Sequence, residues 1–146
     1  MEAPRHPPDV AAAPPHAPRT RAQQLGDDGE AAALAFLVGR GLRPLARNVR
    51  YKVGELDLVM LDGEVLVFVE VRRRGRADFG SALDSVDARK ARKLALAARA
   101  FLQRQPRHAA RDCRFDVVGF DAAASAGLDA DVPPQWVRGA FTLDDL

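Results

Sequence analysis

The chain has 146 residues, enough for one domain with a real core, and its 47% hydrophobic and 29% charged residues suit a globular protein. No apolar run approaches the roughly 18–20 residues of a membrane span, and the lone Cys113 excludes an intramolecular disulfide or a cysteine-based metal cluster, so a soluble cytoplasmic protein is expected. The net charge of +2 hides a basic middle, with thirteen Lys/Arg against five Asp/Glu between residues 70 and 114, a balance that suits a polyanion such as nucleic acid or else a solvated helix face.

Residues 1–20 hold six of the ten prolines and no secretory apolar region. They are expected to form a disordered tail, with one domain over 21–146. From Arg21 to Val38 the spacing predicts a helix, with Leu25, Ala32, Ala33, Phe36 and Leu37 on one side, Thr20 as N-cap, and Gly39 and Gly41 as the stop. Leu42–Arg50 is extended. Two hydrophobic strands follow, Glu55–Leu61 and Glu64–Arg72, joined by an Asp62-Gly63 turn.

Arg73–Ala82 has the glycine and charge of a surface loop. A second helix is predicted over Ser85–Gln105, where Val86, Lys90, Lys93, Leu94, Ala97, Ala98, Phe101 and Leu102 recur at helical spacing and Pro106 sets the limit. Arg114–Phe120 is a further strand, Ala122–Pro134 a loop, and Gln135–Phe141 closes or caps the sheet. The order predicts an α/β fold with a mixed sheet of four or five strands flanked by helices.

Glu55, Asp57 and Glu70 sit among the apolar residues of the hairpin. A buried carboxylate costs several kcal/mol unless it is protonated, paired or bound to a cation. With Asp62-Gly63 as a two-residue turn, Asp57 faces Phe68, Glu55 faces Glu70 and Val53 faces Arg72. Glu55, Asp57, Glu70 and Arg72 then project from one side of the pair, at separations where carboxylates can share Mg²⁺ or Mn²⁺. The stretch Val65–Val71 is apolar on both faces, which marks a central strand. The competing reading of Asp57 and Glu70 is ion pairing with Arg72, Arg73 or Lys52. His6 and His16 lie in the tail and His108 beyond a helix end, so no histidine ligand is expected.

The run Gly54-Glu-Leu-Asp-Leu-Val with Val67-Phe-Val-Glu-Val-Arg-Arg-Arg resembles the YraN-like family of small bacterial proteins, which looks like part of the restriction-endonuclease-like superfamily named for its PD-(D/E)xK motif. Gly29-Glu30, Ala46-Arg-Asn-Val-Arg50, Phe79-Gly-Ser with Lys90, Arg114-Phe-Asp-Val-Val118, and Trp136 with Ala140-Phe141 extend the resemblance over about residues 23–141. It implies a restriction-endonuclease-like core in which Asp57 and Glu70 take the metal-binding positions and Glu30 the acid that some members supply from the first helix. Arg72 stands where the motif usually has Lys. Arginine stays protonated, so Arg72 could bind a phosphate or stabilise transition-state charge but could not act as a base.

Two functions follow. One is a Mg²⁺- or Mn²⁺-dependent endonuclease, with Asp57, Glu70, Arg72 and Glu55 catalytic and Asp57, Glu70 and Glu30 holding the ion. Arg72, Arg73, Arg74, Arg76, Lys90 and Lys93 would guide the backbone of nucleic acid, duplex or branched DNA being favoured by the scarcity of aromatic platforms. The other is a nucleic-acid-binding protein that keeps the nuclease fold with little or no turnover. A homodimer would suit the cutting of two strands, although no residue of the sequence points to one.

Overall fold

The structure, a computed structural model, describes residues 21–73, 86–120 and 133–142, with side chains from residue 28 onward. Helix α1 spans Arg21–Gly39. Gly41, at φ 96°, ends it by donating its N–H to the Val38 carbonyl at 3.0 Å, while Leu42 N–H reaches the Leu37 carbonyl at 3.1 Å. A left-handed residue closing a helix in this way is most often glycine. Then come β1 (Arg43–Tyr51), β2 (Gly54–Asp62), β3 (Val65–Arg73), α2 (Ala88–Arg104), β4 (Cys113–Phe120) and β5 (Gln135–Phe141). Thr20 and residues 1–19, 74–82 and 122–132 of the expected tail, cap and loops lie outside the described residues.

The five strands form one mixed sheet in the order β1-β2-β3-β4-β5. Only β3 and β4 run parallel, and α2 is the crossover between them. The expected α/β fold is thus present, with five strands flanked by two helices, consistent with a restriction-endonuclease-like core. The strand alternation serves both helices. On β3, Leu66 and Phe68 join the core beneath α2, while Val67 and Val69 join the core beneath α1. Residues buried on both faces make β3 a central strand, as its unbroken apolar run predicts. Among the described residues no helix is long and apolar enough to cross a membrane.

The hairpin departs from its expected register. Asp62 pairs with Val65 and Leu58 with Val69, so the two-residue loop is Gly63-Glu64 and not Asp62-Gly63. Gly63 has φ 59° and takes the first loop position, where one of the two turns favoured in hairpins needs a left-handed residue. The shift moves every partner by two positions. Asp57 therefore lies opposite Glu70 and not Phe68, and Glu55 no longer falls opposite Glu70. A shift of two by itself keeps the faces of a regular strand, because side chains alternate with period two.

Helix α2 begins at Asp87, whose carboxylate caps it by accepting the Lys90 N–H at 2.8 Å. Its buried side carries Ala91, Leu94, Ala95, Ala97, Ala98 and Phe101, the helical spacing that the sequence predicts. The small residues let the helix press on the start of β2. A Cβ built on Gly54 would lie 2.7 Å from the Lys93 carbonyl oxygen and 3.6 Å from Ala97 Cβ. The backbone oxygen cannot rotate away as a side chain would. Gly54→Ala is therefore expected to lower unfolding free energy by about 1–3 kcal/mol in a denaturant titration. Unchanged stability would mean that α2 and β2 are not held in this contact.

Candidate functional site

The sheet is forked. Strands β1 and β2 stay paired down to Tyr51↔Gly54, and β3 and β4 stay paired up to Arg73↔Phe120. Between them, the β2–β3 ladder stops at Leu58↔Val69. Asp57 is the first residue past that last rung. Its side chain takes over from the backbone, with Oδ2 accepting the N–H of Val71 at 2.9 Å. A backbone donor that would otherwise be stranded in the fork is satisfied, and the carboxylate is fixed there.

The alternation of faces slips at the same point. Leu58 and Met60 pack beneath α1, whereas Leu56 packs beneath α2, although residues two apart share a face in a regular strand. On β1 the residue opposite Asp57 is Asn48, since Arg47 pairs with Leu58 and Val49 with Leu56. Asn48 has φ 51° and is the non-glycine residue with positive φ among those described. Asparagine is among the few side chains that tolerate this region. The paired irregularity at Asn48 and Asp57 is what redirects both strands.

Glu30 enters from α1. Gly29 beside it is buried against Val71, whose Cγ1 would lie in ordinary contact, 3.9 Å, from a Cβ placed there. The Glu30 carboxylate comes within hydrogen-bonding reach of both Asn48 and Asp57. Its Oε2 atom is nonetheless buried without a partner. Glu70 enters from β3, is 5% exposed, and lies within hydrogen-bonding reach of Asp57. Its Oε1 faces Lys90 Nζ from α2 at 3.6 Å and Arg72 Nη1 at 3.9 Å.

Burial and mutual repulsion set the charge of this group. Desolvation, and then the charge of Asp57, push the Glu30 carboxyl up to about 7. The same two causes push Glu70 up to about 8, against the opposing pull of Lys90 and Arg72. Asp57 is also raised, by burial, even though the Val71 N–H favours its ionised form. At neutral pH the three carboxyls therefore keep protons between them.

Asp116 shows how this chain treats a buried carboxylate that has only a structural role. It is fully buried and accepts from Arg114 Nε at 3.0 Å, Arg114 Nη2 at 3.2 Å, Trp136 Nε1 at 3.0 Å and Gly139 N–H at 2.9 Å. Arg114 and Arg138 also meet Asp62, at 2.8 and 3.0 Å. Every oxygen is used. The fork has the opposite character, with an orphaned Glu30 oxygen and carboxyls crowded against one another.

A cleft of about 300 Å³ opens onto the fork, lined by Gly29, Glu30, Glu55, Asp57, Glu70, Val71, Arg72, Arg73 and Lys90. The structure thus gathers Glu30, Asp57, Glu70, Arg72, Arg73 and Lys90. Glu55 lines the same cleft, but its carboxylate is exposed and faces Arg50 at 3.6 Å. Lys93 lies outside this cleft, in a neighbouring groove. Arg74 and Arg76 lie outside the described residues. Asn48 and Asp116 were missed. The spacing of Arg114 and Asp116, on one face of one strand, was the available signal for the second; nothing in the hydrophobic pattern marks the first. Cys113 is inert, its thiol pushed up by burial and donating to the Arg111 carbonyl at 3.6 Å.

The chemistry of the donors fits a hard divalent cation. Four carboxylates line the cleft, of which Glu55 is exposed, and a buried oxygen of Glu30 has no partner. Among the described residues, however, no group of three or more His, Cys, Asp or Glu is already set at metal-ligand spacing. Lys90 and Arg72 engage Glu70 instead.

Comparison with known proteins finds relatives that match most of the chain. The model of the uncharacterised protein family UPF0102 matches residues 29–120. A UPF0102 protein of Pseudomonas putida strain GB-1 is 52% identical over 127 residues, covering 87% of this chain and 98% of that relative. One of Pseudomonas entomophila strain L48 is 54% identical over 116 residues, 80% of this chain and 91% of its own. One of Xanthomonas campestris pv. campestris strain B100 is 54% identical over 125 residues, 84% and 95% respectively.

The raised carboxyls predict how stability depends on pH. Glu70 holds its proton up to about pH 8 in the folded protein, against an ordinary value of 4.5. The folded state binds the proton more tightly than the unfolded chain, so this contribution is fully present below about pH 4.5 and is lost as pH rises towards about 8. In EDTA, Glu70→Gln is expected to flatten the decline in Tm between about pH 5 and pH 9 and to raise Tm at the alkaline end by about 5 °C. A Tm profile identical to that of the unsubstituted protein would remove Glu70 from the proton-holding group.

Proposed function

We propose that this chain, which belongs to the UPF0102 family, is a divalent-metal-dependent endonuclease acting on nucleic-acid phosphodiesters. The observation that supports this reading is the fork itself, where Glu30, Asp57 and Glu70 line one cleft, Glu30 keeps a buried oxygen without a partner, and the cations Lys90 and Arg72 flank Glu70. A structural ion network would have satisfied these acids as it satisfies Asp116. The unspent donor capacity is a reason to expect Mg²⁺ or Mn²⁺, and the flanking cations a reason to expect phosphate.

Glu30, Asp57 and Glu70 would hold the ion. When bound, a divalent ion polarises a phosphodiester and makes a coordinated water a better nucleophile. The chain's own residues prepare the place. Val71 N–H fixes Asp57 just past the last rung of the ladder. Asn48 and Asp57 orient Glu30. Glu30 and Glu70 surrender their protons only near or above neutral pH, so ion capture strengthens as pH rises. Arg72 lines the cleft beside Glu70 and would orient the phosphate through its guanidinium fork. Arg73 and Lys90, which line the same cleft, supply further charge for the backbone.

A second reading, a nucleic-acid-binding protein without turnover, is favoured by one observation. Arg72 stands where the resembling nucleases carry lysine, and together with Lys90 it draws Glu70 towards a salt bridge.

Cleavage of linear, nicked and four-way-junction DNA in Mg²⁺, Mn²⁺ or EDTA tests both. The first reading expects metal-dependent cutting that falls at least about a hundred-fold in Asp57→Asn and in Glu70→Gln. Salt-sensitive binding without cutting, with activity gained by Arg72→Lys, would establish the second. Neither binding nor cutting would end the nucleic-acid reading.

A further inference from the structure

The chain holds nineteen arginines and three lysines. All three lysines, Lys52, Lys90 and Lys93, line a single groove of about 270 Å³ between the start of β2 and the first turns of α2. Tyr51, Val53, Gly54, Glu55 and Leu94 complete its walls. In a chain that otherwise uses arginine for positive charge, this placement is selective. Lysine offers a compact ammonium with three donors that can turn towards a single anion, where arginine offers a rigid fork.

The groove exists because α2 sits so close to β2. The contact of the Lys93 carbonyl over Gly54 brings the two walls together. The cations also stand against a local preference. Arg89, Lys90, Arg92 and Lys93 occupy the first six positions of α2, next to the positive end of the helix dipole, and the helix contains no acid. Asp87, the cap, is committed to the Lys90 N–H. The one acid in the groove, Glu55, faces Arg50. Such cations repel one another, although Lys90 is drawn to an acid of a neighbouring strand, Glu70, and departures from local preference of this kind mark functional positions.

The groove adjoins the acid cleft. Lys90 and Glu55 line both, and Lys90 Nζ lies 3.6 Å from Glu70. An extended polyanion lodged at the fork has this groove as its continuation.

We propose that the lysine groove seats a phosphate of the same nucleic-acid strand whose neighbouring phosphate lies at the fork, with Lys52 and Lys93 as its contacts and Lys90 at the junction. The proposal rests on the nucleic-acid reading above and adds to it a second contact point and a direction, running from the fork past Lys90 towards Lys52.

The test is binding of a short blunt DNA duplex in EDTA by fluorescence anisotropy over a range of salt concentrations. Lys52→Gln/Lys93→Gln is compared with Arg43→Gln/Arg107→Gln, which removes equal charge from exposed positions outside both clefts. The lysine pair is expected to make the slope of log affinity against log salt shallower by about 0.9, the value for one phosphate contact, while the arginine pair leaves it near the wild-type value. Circular dichroism of each variant checks that the fold is kept. In the same complex, amine-reactive labelling read by mass spectrometry is expected to show Lys52 and Lys93 protected by DNA. If the wild type binds with a steep slope and the lysine pair does not change it, or if both pairs change it equally, the groove is overturned while the nucleic-acid reading stands. If the wild type binds no DNA at all, both fall together.

Discussion

The bond between the Asp57 carboxylate and the Val71 N–H is the interaction on which the site depends. A sheet that splits must leave backbone groups without partners, and buried groups of that kind are costly. Here one side chain closes the fork. Because that side chain is an acid, the repair also places a carboxylate where it cannot be fully solvated. Glu30 from α1 and Glu70 from β3 then arrive beside it, and the helix α2 supplies Lys90 from the other side of the sheet. The fold and the candidate chemistry meet in one atom.

The two groups of buried acids in this molecule make an internal comparison. Around Asp116, arginine, indole and backbone donors satisfy every oxygen, and the strands β4 and β5 are tied together as a result. At the fork, burial raises the carboxyls, and repulsion between them keeps protons bound near neutral pH. An arrangement that crowds carboxyls and leaves an oxygen unpaired contributes stability only while it holds protons, and loses that contribution as pH rises. A divalent cation in place of the protons would relieve that crowding, which is the physical reason for proposing a function there.

Much of this was legible in the sequence, and the failures are instructive. The unbroken apolar run Val65–Val71 predicts a doubly buried strand, and Glu70 within it cannot be a surface residue. The hairpin loop was misplaced because Asp-Gly and Gly-Glu are both acceptable two-residue turns, and the local chemistry does not choose between them. A register moved by two would by itself have kept the faces; the break in alternation between Leu56 and Leu58 is a separate departure that the strand pattern does not announce. The misplaced loop concealed the direct opposition of Asp57 and Glu70. Three other features depend on distant contacts. The left-handed Asn48 is a response to the slip at Asp57, Glu30 becomes buried only when α1 docks, and Lys90 reaches Glu70 only across the sheet face. Periodicity marks Lys90 as helical and says nothing about which acid it meets.

The central claim is that protons at the fork occupy the place of a divalent cation. Calorimetric titration of the metal-free protein with Mn²⁺ at about pH 7, repeated in buffers of different ionisation enthalpy, measures this directly. The account predicts saturable binding accompanied by proton release, both lost in Asp57→Asn. Absence of binding, or binding of equal strength and without proton release in the wild type and in Asp57→Asn, would contradict it.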